Sequence, residues 1–250
     1  METVSFILTT FNSKENLDQT LHSIQMQDYP AIEIVVKDGG STDGTIDALR
    51  EWEGKLPNMK WVSEPDRGIY DAMNRGYELS TGEILVFFND VLAKPDVVST
   101  MVKALNETLP DGTSYIGAHA DLDYVEGDKV VRRWHMGPGK LSRGWMPGHP
   151  TLYLRRSVYE QYGSYDTSFR IAADYEFMVR FLKDPSNKLT YVPIRAVEMF
   201  YGGTSNQDGL KTYIKSFEEG YRALRKNKVP FALWINIQRT IRVLAQFAIR

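Results

Sequence analysis

Asp66 and Arg67 stand side by side in the stretch Ser63-Glu64-Pro65-Asp66-Arg67-Gly68-Ile69-Tyr70-Asp71-Ala72-Met73-Asn74-Arg75-Gly76. A carboxylate that accepts hydrogen bonds, next to a guanidinium that donates them, suits a particular ligand: hydroxyls or ring N–H groups at one end and phosphates at the other. An ordinary surface turn with an adjacent charge pair has the same sequence. Pro65, Asp66 and Gly68 predict the turn itself. Asp66 or Gly68 is placed to cap a helix, and Ile69, Ala72 and Met73 repeat behind it at helical spacing. The pair therefore falls at the carboxyl end of a strand, where open α/β sheets bind ligands.

The elements that must position this turn follow from the apolar pattern. Val4 to Thr9 reads as a strand, and Ser13 as the start of a helix to about Gln27 with Leu17, Leu21 and Ile24 on one face. Ile32 to Val36 is a second strand. The polar, glycine-rich run Asp38-Gly39-Gly40-Ser41-Thr42-Asp43-Gly44-Thr45 then opens a helix. Lys60 to Val62 is a third strand, and Glu83 to Phe88 is an apolar run that suits a strand covered on both faces. Strand and helix in alternation predict a mixed, mostly parallel sheet flanked by helices. Three polar loops, residues 9–12, 38–43 and 66–68, converge on one sheet edge, and a nucleotide is the natural ligand there. At least two of the three are also connections that any such sheet requires.

Beyond Asn89-Asp90 the texture changes. A helix is expected from Pro95 to about Leu105. Strands are expected at Ser114 to Ala118 and Lys129 to Trp134, with an acidic loop from Asp121 to Asp128 between them. Gly137 to Gly148 is a loop rich in Gly, Pro, Trp and Met. Trp145 within it is either a face for a sugar or a packed side chain. A strand at 151–154, a helix opened by Ala172-Ala173-Asp174, and late strands at 189–192 and 196–200 complete this half. Asp174 has the sequence of a helix cap. The tail reads as a charged helix from Leu210 to Asn227, then an amphipathic helix from Phe231 to Ile249. On the latter, Leu233, Trp234, Ile237, Ile241, Leu244, Ala245 and Ala248 share a face. Arg222, Arg225, Lys226, Lys228, Arg239, Arg242 and Arg250 flank it, and no acid follows Glu219. Such a helix suits either an anionic membrane surface or packing on the domain.

Composition narrows the class. A net charge of −2 over 250 residues gives no extended nucleic-acid surface. The absence of cysteine excludes a disulfide scaffold and thiolate metal sites, and fits a reducing compartment. No apolar run reaches the length of a membrane span, and the chain starts on a strand without a basic leader, so neither a spanning helix nor a signal peptide is expected.

Val4-Ser5-Phe6-Ile7-Leu8-Thr9-Thr10-Phe11-Asn12, Val35-Val36-Lys37-Asp38-Gly39-Gly40-Ser41-Thr42-Asp43-Gly44-Thr45 and Ser63 to Gly76 resemble, in order and spacing, family 2 glycosyltransferases. The similarity is closest to bacterial enzymes of exopolysaccharide, O-antigen and colanic-acid assembly, and covers most of residues 3–203. It implies a GT-A fold: a glycosyltransferase domain over 1–203, with a nucleotide-sugar half at 1–90 and an acceptor half at 91–203, followed by C-terminal helices at 204–250. It implies inverting transfer from a nucleotide sugar, UDP-linked by preference, to a hydroxyl of a glycan acceptor carried on a lipid. The location implied is cytoplasmic, with peripheral contact to the inner membrane face through residues 230–250. By position, Thr10, Phe11 and Asp38 hold the nucleobase, Thr9 belongs to the same donor pocket, Asp66 contacts base or ribose, and Arg67 lies near the diphosphate. His149, in Gly148-His149-Pro150-Thr151, matches a short motif that such enzymes carry just before a strand, as either an acceptor-side contact or packing; Trp145, read from its loop, would stand on the acceptor side too. Asp174 matches the catalytic base. Asp90 aligns with the aspartate that binds Mg²⁺ or Mn²⁺, although the loop is about two residues short and its neighbouring acid is missing. One carboxylate plus diphosphate oxygens and water can hold such an ion. The alternative function is a nucleotide-sugar-binding protein without catalysis.

Overall fold

The first ninety residues alternate strand and helix as their apolar spacing predicts. The computed structural model describes residues 1–127, 129–201 and 209–245. Strands β1 (Val4–Thr10), β2 (Ile32–Asp38), β3 (Met59–Ser63) and β4 (Ile84–Phe87) run parallel, in the order β3-β2-β1-β4. Helices α1 (Lys14–Gln25), α2 (Thr45–Glu53) and α3 (Ile69–Leu79) connect them. Side chains alternate between the faces of a strand. Val4, Phe6 and Leu8 of β1, with Ile84 and Val86 of β4, enter one core beside Leu17, Leu21 and Ile24 of α1. Ile7, Leu85 and Phe87 enter a second core beside Tyr70 and Met73 of α3. Both faces are covered, so these strands read as unbroken apolar runs. Gly76 lets α3 lie close on the sheet, since a Cβ there would stand 2.4 Å from Ile7 Cγ2.

The second half adds β5 (Val91–Leu92), α4 (Val97–Leu105), β6 (Gly117–Glu126), β7 (Lys129–Trp134), β8 (Tyr153–Arg155), α5 (Arg156–Tyr162), α6 (Ala173–Leu182), β9 (Leu189–Phe200), α7 (Gly209–Lys226) and α8 (Ala232–Ala245). The sheet continues β4-β8-β6-β9-β5, with β7 on β6. β8 is antiparallel to both neighbours, and β9 is parallel to β6. Two expectations need correction. The strand expected at 114–118 begins at Gly117 and runs through most of the stretch expected to be an acidic loop; Asp128 lies outside the described residues. Leu122 and Tyr124 face the core, while the acids that alternate with them, Asp121 and Asp123, find partners outside the strand. Asp121 accepts from Tyr191 Oη and the Met136 N–H, and Asp123 pairs with Arg195 at 2.8 Å. The two late strands are one, β9. Its pairing with β6 slips where Pro193 and Ile194 fall, which accommodates the missing proline N–H.

The C-terminal helices join the second core. Ala223 and Leu224 of α7, and Ala232 and Ile235 of α8, are buried with Phe177 and Met178 of α6. The apolar stripe Leu233, Trp234, Ile241 and Leu244 instead points outward, each residue more than half exposed. Ala248 and Arg250 lie outside the described residues. No described helix is long and apolar enough to cross a membrane.

Candidate active site

The carboxyl ends of β1, β2 and β3 are tied into one edge by hydrogen bonds that need the residue types read from the sequence. Asp38, fully buried at the end of β2, accepts from Thr10 Oγ1 at 3.0 Å, Ser63 Oγ at 2.7 Å, the N–H groups of Gly40 and Ser41 at 2.8 and 2.9 Å, and Ser41 Oγ. Burial raises the pKa of such a carboxyl, but the bonds from Ser41, Ser63 and Gly40 outweigh it and hold Asp38 below its ordinary value. Asn12, at φ 49°, locks the first loop to the second: its N–H donates to Ser41 Oγ, and its Oδ1 accepts from the Thr42 N–H. Thr9 bonds twice to Asn89, through its N–H and its hydroxyl, and so brings the end of β4 to the same edge.

Phe11, Gly39 and Asp66 form a shelf on this edge. Phe11 is 64% exposed. A Cβ at Gly39 would meet Asp66 Oδ2 at 2.8 Å and Phe11 Cδ2 at 3.2 Å, so only glycine leaves the backbone open between an aromatic face and a carboxylate. Asp66 Oδ1 accepts from the Gly68 N–H, which makes Gly68 the helix cap and Asp66 the turn acceptor. Arg67 reaches into solvent, its side chain 84% exposed, with Nη2 3.3 Å from Asp71 Oδ1. The sequence reading missed Lys37. Its side chain is fully buried, donates to the carbonyls of Asp38 and Glu64, and lies 3.8 Å from Asp66. It fastens β2 to the Asp66 turn from beneath. A lysine directly after the apolar run Ile34-Val35-Val36, still within the strand, was the available signal.

Asp174 lies one helix away. It is the second residue of α6, and the residue before that helix is Ala172, so Asp174 is not the cap. Glu219 of α7 holds the turn that leads into the helix, accepting from the N–H groups of Arg170, Ile171 and Ala172 at 3.0–3.1 Å. The half-buried Asp174 carboxylate accepts from Tyr70 Oη at 3.1 Å. Tyr70 is the second residue of α3, just beyond the Asp66-Arg67-Gly68 turn. Burial, then the Asp174 charge, pushes the Tyr70 phenol well above its ordinary value, so it remains a donor. One turn on, Asn74 exchanges two hydrogen bonds with the Tyr165 backbone. Tyr165 Oη in turn bonds His149 Nε2 at 2.8 Å. Burial pushes the His149 imidazole below its usual value, against the pull of the Asp174 charge, so His149 is neutral near pH 7. The i,i+4 pair Tyr70 and Asn74 thus links the helix behind the Asp66 turn to Asp174 and His149. Its spacing was legible, but its partners, 104 and 91 residues away, were not.

Asp90 and Trp145 are placed differently. Asp90 follows Asn89 at the same sheet edge and is 8% exposed; among the described residues its one hydrogen bond comes from the Phe200 N–H at 3.3 Å. Burial pushes its carboxyl up to about 7. A hard oxygen ligand without a cation partner fits the single-carboxylate form of a Mg²⁺ or Mn²⁺ site, with substrate phosphates completing the shell. No group of three or more acids or histidines gathers to hold an ion among the described residues. Trp145 is turned into the interior rather than presented on the outer surface. It is 5% exposed, donates to the carbonyls of Met136 and Gly137, and packs against Gly139 and His119. The loop's glycines admit the indole into the interior.

The model of the family described as "Glycosyl transferase family 2" matches residues 5–171. The chain belongs to that family. The match ends three residues before Asp174. A PGL/p-HBAD biosynthesis glycosyltransferase of Mycobacterium bovis is 32% identical over 222 residues, covering 84% of this chain and 82% of that protein. An uncharacterised glycosyltransferase of Mycobacterium tuberculosis is 36% identical over 188 residues, covering 71% and 68%. Among solved structures, Staphylococcus aureus TarS 1-349 in complex with UDP-GlcNAc superposes with a TM-score of 0.68 at 18% identity, covering 98% of this chain and 71% of that one. The mannosyltransferase PcManGT of Pyrobaculum calidifontis, in complex with GDP-Man and Mn²⁺, gives 0.66 at 21%, covering 100% and 76%. The protein is a family 2 glycosyltransferase with a GT-A fold.

Proposed function

We propose that this enzyme moves a sugar, with inversion, from a nucleotide-sugar donor, UDP-linked by preference, to a hydroxyl of a lipid-borne glycan in surface polysaccharide assembly. The observation that carries this reading is the Tyr70–Asp174 contact. It sets a carboxylate that is not spent on capping beside the helix that follows the Asp66 turn of the shelf. In the reaction the base stacks on Phe11 over Gly39, Asp66 takes hydrogen bonds from base or ribose, and Arg67 swings from Asp71 to the diphosphate. Asp174 accepts the proton of the attacking hydroxyl, which approaches the anomeric carbon from the face opposite the leaving diphosphate. Tyr70 keeps that carboxylate oriented, and neutral His149 lines the acceptor side. A divalent ion held by Asp90 would neutralise charge developing on the leaving diphosphate. The outward stripe of α8, with Phe231, supports peripheral membrane contact and hence a lipid-borne acceptor.

Asp174→Asn tests the reading. Transfer is expected to fall at least a hundredfold, within the range for losing a general base, while donor affinity by calorimetry stays within a few-fold. Undiminished transfer would remove Asp174 as the base. Titration with UDP, GDP and dTDP, with and without Mn²⁺, assigns the donor. Binding of a donor without turnover, on every acceptor fraction, would favour the non-catalytic alternative.

A further inference from the structure

A cavity of about 890 Å³ opens where residues 138–142, the turn after α6 and the α7–α8 turn meet. This is within the size range of small-molecule sites, roughly 300–1,000 Å³. It lies at the C-terminal end of α6, about 15 Å along that ten-residue helix from the end that carries Asp174. It is therefore separate from the donor edge. Leu141, Trp145, Leu189, Val229, Phe231 and Trp234 give it an apolar lining. His119 stands in the wall, 1% exposed, and its Nδ1 has no hydrogen-bond partner among the described residues. Lys140, Lys188 and Lys228 stand at the rim, all exposed, and none forms an ion pair among the described residues. Lys183 also lines it and donates to the Asn227 carbonyl. Asp184 is its one acid, turned to Ser186. The mouth runs into exposed apolar surface: Phe231 is 82% exposed at φ 56°, and Trp234 59%.

We infer that this cavity takes one hydrocarbon chain of an anionic phospholipid, with the head phosphate on Lys140, Lys188 and Lys228. Three features select that occupant. The lining is apolar, the rim is cationic, and the mouth opens onto the outward stripe of α8, so a chain enters from the plane in which that helix would lie. His119 supplies a polar atom for the ester or glycerol oxygens. The assignment rests on the membrane-contact reading above and sharpens it, because four of the seven basic residues read from the tail are engaged elsewhere. Arg222 covers Phe169, Lys226 pairs with Asp166 and Glu176, Arg239 is buried on Tyr175, and Arg242 bonds the Arg143 carbonyl. The cationic rim is rebuilt by Lys140 and Lys188 from other parts of the chain.

The test uses the full-length protein and two probes: lysophosphatidylglycerol with a brominated chain at monomer concentration, and vesicles of phosphatidylglycerol or phosphatidylcholine. Bromine quenches tryptophan only on near contact. Because Trp234 also lines the cavity, the reading is taken in a Trp234→Phe background, where monomeric lipid is expected to quench the fluorescence and a further Trp145→Phe to remove most of that quenching. Changing Lys140, Lys188 and Lys228 together to Gln is expected to weaken binding to phosphatidylglycerol vesicles by on the order of a hundredfold, about fivefold per lysine. If Trp145→Phe unfolds, Leu189→Trp fills the cavity from its wall and is expected to weaken monomer binding at least tenfold. In the Trp234→Phe background, quenching that survives Trp145→Phe overturns the assignment, as does a lysine triple that binds like wild type. Vesicle binding without quenching of Trp145 overturns the cavity and leaves membrane contact standing. Monomer quenching of Trp145 without vesicle binding supports the cavity and sinks membrane contact.

Discussion

Glu219 is the residue whose loss should show most clearly how the tail serves the site. It is 8% exposed, and its two oxygens accept four hydrogen bonds from three backbone N–H groups at the start of α6. Glu219→Leu removes every acceptor. Arg170 is exposed and its N–H turns to water, but Ile171 is half-buried and Ala172 buried. Leaving a buried donor unmade costs about 1–3 kcal/mol, so the substitution should cost about 2–4 kcal/mol, plus a few tenths for the lost charge at the helix N-terminus. For a chain of this size that lowers Tm by about 4–16 °C. Glu219→Gln keeps an oxygen where Oε2 now takes three N–H groups, and should cost about 1–2 kcal/mol, or about 2–8 °C. Calorimetry gives the ordering wild type, Gln, Leu. Transfer measured well below both midpoints should fall in the same order, because Asp174 sits two residues beyond the turn that Glu219 holds. A Leu variant that melts with wild type and transfers sugar at the same rate would refute the reasoning.

Other expectations follow from single contacts. Tyr70→Phe removes a hydrogen bond to a carboxylate, worth about 1.5–3 kcal/mol, and should slow transfer about tenfold to a hundredfold with nucleotide affinity unchanged by calorimetry. Arg67→Ala should leave Tm within about 1 °C, since surface pairs contribute little, yet weaken binding of nucleoside diphosphate about tenfold and of the nucleoside hardly at all. Asp90 gives a pH effect of defined sign. Its folded value of about 7 lies above the usual carboxylate value, so its contribution to stability is full below about pH 4 and is lost as pH rises through 7. The loss approaches about 4 kcal/mol over that span. Melting curves of Asp90→Asn should lack this component, and Mn²⁺ at pH 8 should raise the Tm of wild type but not of the variant. Identical pH profiles for the two proteins would show that Asp90 does not carry it.

Much of the edge where the three polar loops meet was legible because it is built from local chemistry. Asp38 bonds the N–H groups two and three residues on, Asp66 bonds the N–H of Gly68, and glycine opens the shelf between Phe11 and Asp66. The acidic stretch from Asp121 misled for the opposite reason. Its charges read as solvated, and the partners that allow a strand there, Arg195, Tyr191 and the Met136 N–H, come from distant segments or the far side of a turn. Trp145 was ambiguous in sequence because an indole packs equally well on a sugar or a core; the carbonyls of Met136 and Gly137 decided for the core.

By itself the sequence determined the alternation of strands and helices, the three polar loops and their family, because periodicity, turn residues and caps act over a few positions. Tertiary structure alone decided what those elements meet. It brought Tyr70 to Asp174 across 104 residues, Glu219 to the start of α6 across 47 to 49, and buried Lys37 beneath the Asp66 turn. It also turned Arg239 inward onto Tyr175 while leaving Leu233 and Trp234 outside. The physical reason is that an amphipathic helix specifies a face but not the surface that covers it, and a buried charge is tolerated only where a partner from elsewhere arrives.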